Sequence, residues 1–154
     1  MKKHLILFFS LLVIGLSACQ KSDVTTDQAT ADDAKIQAYL KANNLTATKD
    51  ASGIYYQIVT PGTAGTNPTA ALSTVQITYT NIFLNGVTFD HVDVVNYKLS
   101  TMVKGLQIGI PKIGNGGRII LYVPSALAYG NTDQFTIPAN SVLVYKIDLI
   151  GSHN

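Results

Sequence analysis

From Gly53 onward the chain adopts a period of two, and that alternation limits the fold more than any other feature. Ile54-Tyr55-Tyr56-Gln57-Ile58-Val59 runs into Pro61-Gly62, and Val75, Ile77 and Tyr79 then alternate with Gln76, Thr78 and Thr80. Successive side chains of a strand point to opposite faces, so this pattern describes half-buried antiparallel strands. Asn85-Gly86 is a strong two-residue hairpin signal, because both residues tolerate positive φ, and it predicts that Ile82-Phe83-Leu84 turns back into Val87-Thr88-Phe89-Asp90. Further strands are expected around Val95–Leu99, Gly117–Val123 and Ser141–Ile150. Their apolar faces would be Ile119, Leu121 and Val123 in one and Leu143, Tyr145, Ile147 and Leu149 in the other. Met102 to Ile110 follows another rule: Val103, Leu106 and Ile110 recur at helical spacing before Pro111, which predicts one short helix laid across the sheet. The expected class is α+β, a twisted antiparallel β-sheet with one short α-helix, and no repeat of solenoid length is visible.

Upstream of the strands, Asp32-Asp33 precede Ala34, Ile36, Ala38, Tyr39 and Leu40, and Asn43-Asn44 close the stretch. This predicts a short amphipathic N-terminal helix with Asp at its start, packed on the main fold. Residues 32–52 are therefore taken as this helix and its connector, and 53–151 as the main domain. Gln20 to Ala31 is polar, rich in Thr, Asp and Ser and without large aromatic or branched clusters, so residues 19–31 are expected to be a flexible tether.

The start of the chain is a targeting signal. Lys2-Lys3-His4 is basic, Leu5 to Leu16 is apolar apart from Ser10 and Gly15, and Ser17-Ala18 leads into Cys19. That is the three-part pattern of a secretory signal peptide, over residues 1–18. An apolar run of about twelve residues is short of the roughly twenty that span a bilayer. Leu16-Ser17-Ala18-Cys19 also resembles a bacterial lipobox. The resemblance implies that Cys19, the only cysteine, carries a diacylglycerol and becomes the mature N-terminus. Asp does not follow Cys19 directly, so by analogy the destination is the outer membrane, facing the periplasm, with the membrane reached through the lipid on Cys19. Several acyl chains hold a soluble domain at a surface, because each buried methylene contributes about 0.8 kcal/mol.

Composition removes several other classes. The formal charge of +2 falls to zero once Lys2 and Lys3 are cut away, which leaves no electrostatic footprint for nucleic acid. With 47% hydrophobic residues against 13% charged, there is enough apolar material for a core and intrinsic disorder of the whole chain is excluded. One cysteine makes neither an internal disulfide nor a thiolate zinc site, and His91 and His153 do not stand at metal-ligand spacing, so no metal is expected. There is no G-x-S-x-G elbow, and Gly114-Asn115-Gly116-Gly117 lacks the Lys-Ser/Thr of a phosphate loop. What remains is a set of aromatic and aliphatic residues with one acid beside an aromatic, Phe89-Asp90, a composition that suits an apolar binding pocket.

Several separated motifs then carry a resemblance. They are Val75-x-Ile77-x-Tyr79-Thr80, Asn85-Gly86-x-x-Phe89-Asp90, Val103-x-Gly105-Leu106-x-x-Gly109 and Pro124-Ser125-x-Leu127-Ala128-Tyr129-Gly130. Ile137-Pro138-x-Asn140-Ser141-x-Leu143-x-Tyr145 and Leu149 complete the series. In this order they resemble FKBP-type peptidyl-prolyl cis-trans isomerases, and the lipobox, tether and helix resemble the family's bacterial lipoprotein members. The resemblance implies an FKBP-like twisted antiparallel sheet wrapped over one short helix. It also implies isomerisation of X–Pro bonds in envelope or periplasmic polypeptides, with no cofactor. Tyr79, Phe89, Val103, Leu106, Ile137 and Tyr145 would line the cavity, Tyr129 would donate its hydroxyl to a substrate carbonyl, and Asp90 would polarise the cavity edge.

The pattern is broken at three places. Leu106 stands where many members carry a tryptophan, which implies a shallower floor. The chain between Asp90 and Leu99 is shorter than usual, so either Val95 or Tyr97 takes the place of the family's next pocket phenylalanine. Asn131–Thr136 is slightly short, and Ala139 replaces the second proline of the usual Ile-Pro-Pro. The expected activity is therefore low to moderate, with an apolar residue preferred before the proline. The alternative is a non-catalytic peptide-binding or chaperone lipoprotein on the same fold, with a purely structural envelope lipoprotein as a third reading. A monomer is expected.

Overall fold

The computed structural model describes residues 24–69 and 72–153. The expected signal peptide and Cys19 lie outside the described residues. Helix α1 (Val24–Ala42) is followed by β1 (Thr48–Lys49), β2 (Tyr55–Thr60), β3 (Thr74–Phe83), β4 (Thr88–Lys98), α2 (Lys104–Gly109), β5 (Gly117–Val123) and β6 (Leu143–His153). Short 3₁₀ turns at Leu99–Thr101 and Ile110–Lys112 flank α2, and a third, Ser125–Leu127, follows β5. The six strands form one antiparallel sheet in the order β1-β2-β5-β6-β3-β4.

Alternation along the strands sorts the core into two layers. Ile119, Leu121 and Val123 of β5 and Leu143, Tyr145, Ile147 and Leu149 of β6 face α2, where they join Val75, Ile77, Leu106 and Ile110. Their neighbours Tyr122 and Val144 face the other way and pack with Ile82, Tyr55 and α1 residues Ile36 and Leu40. Helix α2 lies close to the sheet because Gly105 and Gly109, four residues apart, turn one bare face to it. A Cβ at Gly105 would collide with the Val123 side chain and one at Gly109 with Leu121. That close approach brings Leu106 to the inner surface of β3 and β6.

Five expectations are corrected. Residues 24–31 are the first two turns of α1 and not part of a flexible tether. No glycine or proline interrupts Val24–Ala42, and Gln28 and Lys35 reach Asp32 from one turn either side, so helix propagates where composition resembled a linker. Asp32 is consequently no cap: it sits at mid-helix, buried, on the stripe that continues through Ile36 and Leu40. The end of the helix is as expected, for Asn44 takes φ 52° and the Leu45 N–H donates to the Leu40 carbonyl at 2.9 Å, which is the left-handed helix stop.

The hairpin loop has three residues and not two. Gly86 N–H donates to Phe83 O and Phe83 N–H to Val87 O, each at 2.9 Å, and of the pair Asn85-Gly86 only Gly86 has positive φ, 86°. This is a turn closed by a glycine bulge. The separate strands expected at Val87–Asp90 and Val95–Leu99 are one strand, β4, which pairs with β3 through two register shifts, at Ile77/Tyr79 and Asn81/Ile82. Finally, α2 is shorter than Met102–Ile110, since its ends are 3₁₀ turns.

Candidate active site

A cavity of about 310 Å³ opens between α2 and the sheet face formed by β3, β6 and the end of β4. Each wall follows from an element already described. Period two places Ile77, Tyr79 and Asn81 of β3 and Tyr145 and Ile147 of β6 on the inner face, α2 and the residues before it supply Met102, Val103 and Leu106, and β4 contributes Asp90 and Tyr97. Tyr129 arrives from the turn after β5.

Burial separates a floor from a rim. Ile77, Ile147, Leu106 and Tyr145 are buried, whereas Tyr97 and Tyr129 are 37% and 39% exposed and Asp90 is exposed. The rim is polar, for Tyr79, Tyr97, Tyr129 and Asp90 line it together. Asn81 Nδ2 donates to Asp90 Oδ2 at 3.4 Å. Burial is the first reason that the Tyr79 and Tyr145 hydroxyls are pushed well above the ordinary tyrosine range and that of Tyr129 is raised; the negative field of Asp90 acts in the same direction on all three. These phenols therefore keep their protons and remain donors throughout the neutral and mildly alkaline range. Among the described residues, neither Tyr145 Oη nor Asn81 Oδ1 meets a hydrogen-bond partner of the chain, and the two residues are direct cross-strand neighbours.

Seven of the ten residues singled out from the sequence meet here: Tyr79, Asp90, Tyr97, Val103, Leu106, Tyr129 and Tyr145. Phe89 does not line the cavity; it stacks beside Phe83, with ring centroids 4.7 Å apart. Ile137 is buried in the core. Val95 packs against that core opposite Ile77, so of the two candidates on β4 it is Tyr97 that reaches the cavity. Asn81 was missed, although the period-two rule that selects Ile77 and Tyr79 selects it as well. His91 lies at the surface, bonded to Thr80 and Asp93. The described residues hold no group of three or more His, Cys, Asp or Glu that could bind a metal. A second hollow, of about 410 Å³, lies on the other sheet face, where Arg118 is held by Asp148 at 2.5 and 3.1 Å.

One antiparallel sheet, a short helix seated on it through two glycines, and an aromatic cavity rimmed by one carboxylate together define the site. The profile of the FKBP-type peptidyl-prolyl cis-trans isomerase family matches residues 65–150, and the chain belongs to that family. Its sequence is 32% identical over 103 residues to FKBP-type peptidyl-prolyl cis-trans isomerase FkpA of Escherichia coli K12, a match that covers 64% of this chain and 37% of that protein. The crystal structure of Escherichia coli FkpA superposes with a TM-score of 0.70 at 26% identity, over 82% of this chain and 62% of that one. A peptidyl-prolyl cis-trans isomerase from Pseudomonas syringae pv. tomato shares the fold, with a TM-score of 0.69 at 22% identity over 84% of this chain and 96% of its own. The chain thus spans well under half the length of the curated FkpA it matches.

Proposed function

We propose that the chain is a peptidyl-prolyl cis-trans isomerase acting on X–Pro bonds of polypeptides in the bacterial cell envelope. The observation that carries this reading is the single cavity in which an apolar floor, Ile77, Val103, Leu106 and Ile147, is ringed by protonated tyrosines and Asp90. An X–Pro amide must lose its resonance to rotate, over a barrier of about 18–20 kcal/mol. An apolar floor takes the proline ring and excludes water, which disfavours the polar planar amide relative to the twisted one. The Tyr129 hydroxyl donates to a flanking carbonyl, and Asp90, to which Asn81 donates, polarises the cavity edge. No bond is made or broken to the protein.

Proline-limited refolding of a reporter protein, followed with the full chain in detergent, tests this. Acceleration at micromolar chain is the expected result. A folded chain that binds proline peptides without acceleration would instead be the non-catalytic chaperone.

The envelope location is supported by the order of basic start, apolar run and Leu16-Ser17-Ala18-Cys19, with lipid on Cys19 as anchor. Among the described residues no helix is long and apolar enough to cross a membrane. Since α1 begins at Val24, at roughly 3.5 Å per residue the start of α1 would stay within about 18 Å of the acylated cysteine. Mass spectrometry of the mature N-terminus checks this, with Cys19→Ser expected to abolish acylation.

A further inference from the structure

Helix α1 lies on the sheet face away from the cavity, yet one of its side chains is connected to the turn that carries Tyr129. Asp32 is 0% exposed, and its carboxylate is surrounded by donors. Oδ2 accepts the Ser125 backbone N–H at 2.8 Å and the Ser125 hydroxyl at 2.6 Å. Oδ1 accepts from Gln28 Nε2 at 2.7 Å and Lys35 Nζ at 3.3 Å. Ser125, 1% exposed, passes the restraint on. Its carbonyl accepts the N–H groups of Ala128 at 2.9 Å and Gly130 at 2.8 Å, the two amides that flank Tyr129. Gly130, at φ 67°, turns the chain so that its N–H can reach back, and its carbonyl accepts the Asn140 N–H at 2.8 Å.

A helix that needed only to adhere to the sheet would carry an apolar residue at position 32, in line with Ile36 and Leu40. Burying a carboxylate there is costly unless donors compensate it. Two of the donors come from the residue whose carbonyl brackets Tyr129. We propose that Asp32 is a positioning residue for prolyl isomerisation, fixing through Ser125 the turn that presents the Tyr129 hydroxyl to substrate. Helix α1, which precedes the family match at residues 65–150, is then part of the active unit. This role rests on the isomerase reading above.

The test is a double-mutant cycle in kcat/KM, with the full chain carrying Asp32→Ala, Tyr129→Phe or both. Asp32→Ala is expected to lower kcat/KM about tenfold, as misplacement of a positioned group does. In the Tyr129→Phe background the further loss is expected to stay under about twofold, because no hydroxyl remains to be positioned. Asp32→Asn keeps an oxygen facing Ser125 and is expected to recover activity to within about threefold of the parent. Equal fold-losses in both backgrounds, or no loss in a folded Asp32→Ala chain, would overturn the proposal. If Asp32→Ala does not fold, Ser125→Ala removes only the hydroxyl donor and carries the same cycle. A parent chain that accelerates nothing overturns the isomerase reading and this role with it. An active parent whose Ala128 and Gly130 amides exchange no faster in the Asp32→Ala chain overturns the clamp alone.

Discussion

Tyr129 and Tyr145 face the same cavity with opposite circumstances. Tyr129 is 39% exposed on the rim, free to donate to an incoming carbonyl, so Tyr129→Phe should lower kcat/KM about tenfold, the worth of one good hydrogen bond. Its thermal midpoint should barely move, and refolding kinetics beside calorimetry separate the two effects. Tyr145 is buried with its hydroxyl unpartnered by the chain. Tyr145→Phe should therefore leave stability unchanged or raise it by up to about 1 kcal/mol, read from urea midpoints at constant slope. Most of the cavity was legible residue by residue, because Tyr79, Asp90 and Tyr129 belong to motifs whose order is specific. Phe89 and Ile137 belong to the same motifs yet pack into the core beside the cavity, because which apolar side chains close the core and which are left lining the hollow is settled by their neighbours in space.

At the scale of elements, α2 shows how little chain a site needs. Six residues hold the floor because Gly105 and Gly109 let the helix back against Val123 and Leu121. Gly109→Ala should cost about 1–3 kcal/mol through overpacking, with a drop in thermal midpoint as the measurement. The strands of β5 and β6 were readable from alternation alone, whereas the hairpin was read in place but not in type. A bulge is a property of two strands, and a sequence shows one at a time. The start of α1 was misread for a similar reason. Asp32-Asp33 before an apolar stretch has the form of a cap, and only the packing of the buried stripe against Tyr122 and Val144 shows that Asp32 lies inside it.

Across the whole molecule, ion pairs join segments distant in sequence. Lys112 Nζ, just after α2, meets Asp50 Oδ2 at 2.6 Å and lies 4.6 Å from the Tyr56 ring centroid. The Lys112 ammonium, helped by Ser52, holds the Asp50 carboxyl well below the usual carboxylate range. A depressed folded-state pKa contributes stability that is complete above the unfolded value of about 3.9 and is lost as pH falls below it toward the folded value. The thermal midpoint of the parent should therefore exceed that of Asp50→Asn at pH 7, with the gap closing in strong acid; calorimetry at several pH values checks this. Lys49 likewise meets Asp33 at 2.6 Å, tying β1 to α1.

The alternation of the strands, the place of the short helix and the family were legible in the sequence alone, because each rests on local periodicity or on motifs read in order along the chain. The extent of α1, the bulged hairpin, the choice of Tyr97 over Val95 and the link from Asp32 to the Tyr129 turn were decided only by tertiary structure. Each depends on how elements pack and pair with one another, as in the bond between Asp32 and Ser125, 93 residues apart, and that is written in no single window of the sequence.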